Sequence, residues 1–246
     1  MKSVVIIPAR FKSSRFPGKP LTPLLGKQMI LWVAKLSAQA VGRENVYVAT
    51  DDKRIADIVN SNGYLAVMTD DKCLTGTDRV AEAAKQIEAD IYINVQGDEP
   101  TLNPNDIIKV IEVKKQEMDA VINGFCWIMK TENVDNINIP KVITNERNEL
   151  VYISRKALPG FKEQKNAPNH FKKQVCIYAF DYEQLEAFYR FGRKSFLEQC
   201  EDIEILRFLE LNMPIKMVQT SSGSLAVDIP EDISQVEAAL KRIHNL

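Results

Sequence analysis

What most constrains this chain is the alternation, through its first half, of short β-branched runs with amphipathic stretches at helical spacing. Val4-Val5-Ile6-Ile7 is apolar without polar alternation and stops at Pro8, the pattern of a strand buried on both faces. Met29, Ile30, Trp32, Val33, Leu36 and Ala40 then recur at helical spacing until Gly42. Val46-Tyr47-Val48-Ala49-Thr50 is a second strand, and Asp51-Asp52 can cap a helix over 53–60 that Gly63 closes before a strand near 64–68. A helix over 78–88, a strand at Ile91-Tyr92-Ile93-Asn94-Val95 and a helix from about 104 to 117 continue the series. This order predicts an α/β fold, a mainly parallel, Rossmann-like open sheet with helices on both faces. Ligands of such sheets bind beyond the carboxyl ends of the strands. Residues 9–19, Thr50-Asp51-Asp52 and 96–100 therefore converge by topology.

From about 120 the pattern changes to strand-like runs at 120–129, 141–143, 150–153 and 174–180, predicting a smaller mixed or antiparallel lobe over about 120–191 inserted in a single domain of residues 1–246. Residues 159–171, rich in Lys, Asn and Pro, are expected to form a loop. A helix around 197–211, strands at 215–218 and 224–227, and a helix from about 230 to 244 complete the expectation, Pro230 marking that last helix start.

A formal net charge of -1 argues against a broad positive field for nucleic acid or an anionic membrane, so any anion site must be local. The opening apolar run is too short for a signal-peptide core and no window approaches a membrane span, so a cytoplasmic protein is expected. The four cysteines have no CxxC spacing and read as packed thiols.

The strongest local signal is the loop after the first strand. Arg10, Lys12, Arg15 and Lys19 put four cations in ten residues beside Ser13, Ser14 and Gly18. Such a loop suits a polyphosphate, although a charge cluster in general is more often a solvated surface. It is neither GxxxxGK[ST] nor GxGxxG, so the grip falls to Arg and Lys side chains more than to a glycine cradle. A polyphosphate held there needs its charge neutralised. Magnesium, a hard cation commonly held by one or two carboxylates with substrate phosphates, fits that need. Asp98 and Asp228 stand at expected strand ends; a turn residue and a helix N-cap are their plain alternatives.

Residues 8–19, with Gly26-Lys27 and Met29-Ile30, resemble the opening of the sugar nucleotidyltransferases, specifically the 3-deoxy-manno-octulosonate (Kdo) cytidylyltransferase, or CMP-Kdo synthetase, family. Val48-Ala49-Thr50-Asp51, Thr75-Gly76-Thr77-Asp78-Arg79, Asn94-Val95-Gln96-Gly97-Asp98-Glu99-Pro100, Tyr152-Ile153-Ser154-Arg155 and Val227-Asp228-Ile229-Pro230-Glu231-Asp232 match in order, so the likeness spans nearly the whole chain. The resemblance implies CMP transfer from CTP to a 2-keto-3-deoxy sugar acid, a Mg2+ cofactor on Asp98 and Asp228, a homodimer formed through the antiparallel lobe, and a place in lipopolysaccharide biosynthesis. It implies catalytic roles for Arg10, Arg15, Lys19 and Asp98. It puts Pro8, Ala9, Arg10, Lys19, Thr50, Asp51, Thr75, Gly76, Thr77 and Arg79 on the nucleotide, and Gln96, Arg155, Gln174, Tyr178 and Glu204 on the sugar acid. Arg155 would pair with the acid's carboxylate. A surface ion pair for Arg79 and a solvated loop position for Arg155 are the structural alternatives.

Two departures fall on the sugar side. The family's His-x-Gly reads Gln174-Val175-Cys176, and its Glu-Gln pair before Leu-Arg reads Glu204-Ile205. These changes remove groups that could read sugar hydroxyls and leave 8-amino-Kdo or a nonulosonic acid as rival substrates to Kdo. A non-catalytic nucleotide-binding subunit and a transferase for another base stay open on residues alone, whereas a dehydrogenase lacks its glycine fingerprint. Neither His170 nor His244 has the context of a base, so activation by the metal is expected.

Overall fold

Alternate residues of the first strand, β1 (Ser3–Ala9), feed two different cores in the computed structural model, which describes residues 1–12, 16–222 and 224–245. Val5, Ile7 and Ala9 join one cluster and Val4 and Ile6 the other, so the strand is covered on both faces, as an unalternating apolar run requires. A short hairpin, β2 (Pro23–Leu24) with β3 (Lys27–Gln28), leads into α1 (Met29–Val41). Then come β4 (Val46–Thr50), α2 (Lys53–Ser61), β5 (Leu65–Met68), α3 (Gly76–Ala84), β6 (Ile91–Val95) and α4 (Pro104–Gln116). Asp52 caps α2, accepting the Arg54 amide at 2.9 Å, and Thr75 caps α3 through the Asp78 amide at 3.2 Å, which starts that helix two residues earlier than its apolar pattern.

The second half contributes β7 (Val121–Trp127), β8 (Lys141–Thr144), β9 (Leu150–Ser154), β10 (Lys172–Phe180), α5 (Tyr182–Arg190), α6 (Phe196–Glu201), α7 (Ile205–Glu210), β11 (Ile215–Gln219) and α8 (Ile233–His244). Among the described residues nine strands form one sheet, ordered β11-β7-β10-β6-β1-β4-β5, with β8 and β9 off this path. The β6-β1-β4-β5 half is parallel throughout, and β10 runs antiparallel to both β6 and β7. The antiparallel strands expected past 120 are thus present, but β7 and β10 belong to the main sheet. Residues 177–180 of β10 pair with β6, while Lys172 and Lys173 run past its end and pair with β8.

α1, α2 and α4 cover one face through Ile30, Ile55, Val59 and Ile107; α3, α5 and α7 cover the other through Val80, Leu185, Phe188, Leu206 and Phe208. A third cluster, including Met29, Trp32, Val227, Val236 and Leu240, fastens α8 to the start of α1.

Two expectations are corrected. The helix around 197–211 is two helices, because Asp202 adopts the left-handed conformation (φ 51°, ψ 50°) and ends α6. Residues 224–227 form no ladder strand: the Leu225 amide bonds to the Thr101 hydroxyl at 2.7 Å and the Val227 amide to the Asp98 carbonyl at 3.0 Å.

Candidate active site

The register of β1 with its neighbours brings the three predicted loops to one edge. Pro8 pairs with Ala49 and Ala9 with Thr50, while Ile6 pairs with Asn94, so β1, β4 and β6 end nearly level. Gly97 passes so close to β1 that a Cβ there would lie 2.9 Å from the Pro8 carbonyl oxygen. The basic loop leaves β1 at Arg10 and is closed at its base, the Gly18 amide donating to the Phe11 carbonyl at 2.9 Å. Gly18 has φ +72°, a conformation costly for other residues, and its open side lies 3.1 Å from the Phe11 ring. The Arg54 guanidinium stacks on that ring, 3.5 Å from its centroid, while its forked donors bind Asp52.

At the far end of this loop Lys19 joins two remote segments. Its ammonium donates to Asp98 Oδ2 at 2.6 Å and to the Val227 carbonyl at 2.9 Å. Since the Val227 amide also holds the Asp98 carbonyl, Asp228 follows directly after a residue fixed to Asp98. Glu99 stands beside both carboxylates. Burial pushes its acid up to about 7, with the charges of Asp98 and Asp228 adding to the rise, against the Ser224 hydroxyl that donates to it. Asp98 and Asp228 offer hard oxygen donors from adjacent segments beside a loop of cations, a donor set that suits Mg2+ completed by phosphate oxygens and water.

Lys19 and Asp98 line a cavity of about 290 Å³, whereas Asp228, next after Val227, is not among its lining residues. Its basic side carries Pro8, Ala9, Arg10 and Lys19, with Gln96, Gly97 and Asp98 on the floor. The opposite wall is made by Thr75, which caps α3, by Gly76 and Arg79 of that helix, and by Lys194, Glu198, Asp202 and Glu204 around α6 and α7. Glu204 accepts the Gly76 amide at 3.0 Å and the Thr77 amide at 2.7 Å, so a carboxylate rests on the first turn of α3. Burial raises its proton affinity; the bonds from Thr77 and Gly76 oppose that rise.

Thr50, Asp51 and Thr77 are not among the residues lining this cavity. Thr50 ends β4 and is fully buried. Arg79, only 3% exposed, meets Asp51 at 3.7 Å and the Thr69 hydroxyl at 2.5 Å, so it is no surface pair. The Thr77 hydroxyl accepts from Asn94 at 3.3 Å.

Three sugar-side assignments do not reach the cavity wall. Arg155 gives its guanidinium to the main-chain carbonyls of Glu201 and Asp202, acceptors freed where Asp202 breaks the helix, and to that of Ile137. Gln174 donates to Asn123 at 3.0 Å and to the Tyr178 hydroxyl at 3.3 Å, and Tyr178 itself is 4% exposed. The register opposes Tyr178 to both Asn94 and Asn123, so the pair 174/178 forms a polar layer within the sheet. Ile205 points into the core and is 1% exposed, so its difference from a glutamine removes no group from the wall. Asp228 does not cap α8: the Asp232 carboxylate takes the amides of Asp228 and Ile229 at 2.8 and 3.0 Å. His244 stacks on Trp32 and His170 lies edge-on to Trp127, both away from the cavity. Arg15 lies outside the described residues. All four cysteines are free thiols. Among the described residues no helix is long and apolar enough to cross a membrane.

Sequence reasoning gave no role to Lys194, Glu198, Asp202 or Glu99. Only Glu99 had a usable signal, its place beside Asp98 before Pro100.

A cation-rich loop leaving the first strand of an open α/β sheet, facing acids on two joined segments, defines a nucleotide-phosphate-binding α/β protein. Residues 4–215 match the family model described as Cytidylyltransferase, and the chain belongs to that family of nucleotidyltransferase enzymes. It is 34% identical over 239 residues to the 3-deoxy-manno-octulosonate cytidylyltransferase of Escherichia coli, covering 97% of this chain and 96% of the relative. It is 38% identical over 248 residues to the 8-amino-3,8-dideoxy-manno-octulosonate cytidylyltransferase of Shewanella baltica strain OS185, covering 98% and 99%. A solved CMP:2-keto-3-deoxy-manno-octonic acid synthetase complexed with CTP superposes with a TM-score of 0.91 at 34% identity, over 99% of this chain and 100% of that one.

Proposed function

We propose that this protein transfers CMP from CTP to 3-deoxy-manno-octulosonate, releasing CMP-Kdo and pyrophosphate. The observation that carries the reading is the Lys19 bridge, which holds Asp98, in a cavity also lined by Arg10, against the segment that supplies Asp228. Kdo and CTP enter through the relatives: the E. coli enzyme carries that acid in its name, and the solved relative was complexed with CTP.

In the proposed reaction the sugar's 2-hydroxyl oxygen forms a bond to the α-phosphorus. The bond from that phosphorus to the bridging oxygen breaks, pyrophosphate keeps the electron pair, and the hydroxyl proton passes to solvent. Arg10 and Lys19 bind the triphosphate and draw off charge as pyrophosphate departs. Asp98 and Asp228 would hold Mg2+, which when bound neutralises phosphate charge and lowers the proton affinity of a coordinated hydroxyl. Glu204, fixed on the α3 amides, keeps further lone pairs for sugar hydroxyls.

The 8-amino acid is the second reading, favoured by the 38% identity to the Shewanella enzyme. A homodimer is part of the proposal; exposed Trp127 on β7, Met129 and Ile137 in the loop to β8, and Val151 on β9 are large apolar side chains of the kind a partner copy covers. Cytoplasmic location and supply of lipopolysaccharide synthesis complete it. The test is pyrophosphate release with Mg2+, each of the four NTPs and both acids. Release with CTP and Kdo supports the reading, release only with the amino acid moves it to the second, and release with neither sinks both.

A further inference from the structure

Behind the wall opposite the phosphates lies a charge cluster that the proposed chemistry does not use. Arg207 on α7, with 0% exposure, binds Asp78 on α3 through two nitrogens at 2.7 and 3.1 Å. The same guanidinium binds Glu198 on α6 through two nitrogens, both at 2.7 Å. It donates to the Phe188 carbonyl at 3.2 Å and lies 3.6 Å from the centroid of that ring. Asp78 and Glu198 are buried as well, at 4% and 1% exposure.

Each segment joined here puts a residue in the cavity wall. Asp78 sits in the first turn of α3 and accepts the Thr75 hydroxyl at 2.7 Å, next to Gly76. Glu198 lines the cavity from α6. Glu204 stands one helical turn before Arg207 and reaches back to Gly76 and Thr77. The planar fork of Arg207 therefore fixes the start of α3 relative to α6 and α7, the separation at which Glu204 meets its two amides. A lysine offers a point charge with no such fork and cannot hold two carboxylates bidentately. The phosphate side is anchored separately, by Lys19 with Asp98 and Val227.

We propose that Arg207 is a positioning residue for the sugar-acid half of the site, acting through Asp78 and Glu198 and leaving the triphosphate half to its own anchors. This rests on the functional reading above. Glu204 depends on this cluster directly, whereas the phosphate grip of Arg10 and Lys19 does not, so loss of Arg207 weakens the sugar acid far more than CTP even though the start of α3 also faces the nucleotide.

The experiment measures KM for Kdo and for CTP, with melting curves, in the parent, in Arg207→Lys, and in a charge-free triple variant, Arg207→Met with Asp78→Asn and Glu198→Gln. The triple variant buries no unpaired charge and so tests position apart from the cost of an orphaned carboxylate. The expected result is a rise of tenfold or more in the KM for Kdo in both variants, with the KM for CTP within threefold of the parent. Equal changes in both KM values, no change in either, a loss of kcat alone, return of the Kdo KM to the parent value in the triple variant, or failure of both variants to fold overturns the proposal. A parent without turnover defeats the functional reading instead, and an active parent with an unsplit Arg207→Lys defeats only this one.

Discussion

Gly97→Ala tests whether the close approach of two strand ends sets the catalytic geometry. The added Cβ would stand 2.9 Å from the Pro8 carbonyl oxygen, with Ile30 Cδ1 at 3.4 Å and Ile7 Cγ2 at 3.5 Å. The oxygen belongs to the backbone of a strand paired on both sides and cannot swing aside. Ordinary contact begins at 3.4 Å, so the tips of β1 and β6 must part by several tenths of an ångström. Overpacking of this kind costs about 1–3 kcal/mol, partly offset by about 0.4–1 kcal/mol from the stiffer unfolded chain. At about 2–4 °C per kcal/mol for a chain of this size, melting falls by several degrees. Asp98 is the next residue and moves with the strand tip. A misplacement of about 1 Å can cost about 100-fold, so roughly tenfold is expected in kcat/KM for pyrophosphate release. Gly160→Ala, where nothing lies within 4 Å, is the control and should change stability by less than about 0.5 kcal/mol. A Gly97→Ala protein that melts with the parent and keeps kcat/KM within twofold would refute the argument.

Lys19→Met removes the cation that joins Asp98 to Val227 and should lower kcat about 100- to 1000-fold in the same assay while the protein stays folded by circular dichroism. Asp228→Asn should raise the Mg2+ concentration for half-maximal activity by about 10- to 100-fold, read from a Mg2+ titration of pyrophosphate release; an unchanged titration removes Asp228 from the metal site. Glu204 holds its proton more tightly folded than unfolded, because burial raises its affinity above the ordinary 4.5. Its contribution is therefore fully present below that value and is lost as pH rises through the folded one. Glu204→Gln lacks this loss, so the stability of the parent minus that of the variant should fall from pH 4 toward pH 8 in urea titrations, and a rise contradicts the burial argument.

The parallel half of the sheet is legible because its residues obey one rule: Val4 to Ile7 is apolar on both faces, Ile91 to Val95 is so apart from Asn94, and such runs have nowhere to lie but the centre. From that order alone the Lys19 loop and Asp98 must share an edge. The break at Asp202 is not legible, since Leu197, Ile203 and Leu206 keep an apolar pattern across it and the carbonyls it frees are taken by Arg155, 46 and 47 positions away in the chain. The opposite wall is hidden for the same reason: Glu204 meets Gly76 across 128 residues, and no local spacing encodes that contact. Gln174 and Ile205 look like specificity positions in sequence, yet the strand register and the first turn of α7 turn both inward.

The Asp98 carbonyl accepts from Val227, and Lys19 reaches the same residue, so the catalytic edge is sealed by a segment that lies after every strand of the sheet. On a ribosome, a growing chain can therefore assemble both cores before it owns a working centre. Residues 227 and 228 reach Asp98 only after the strands of both cores have emerged, and α8 then docks on Trp32. Under the proposed function, an unfinished copy owns the basic loop and Asp98 but not Asp228.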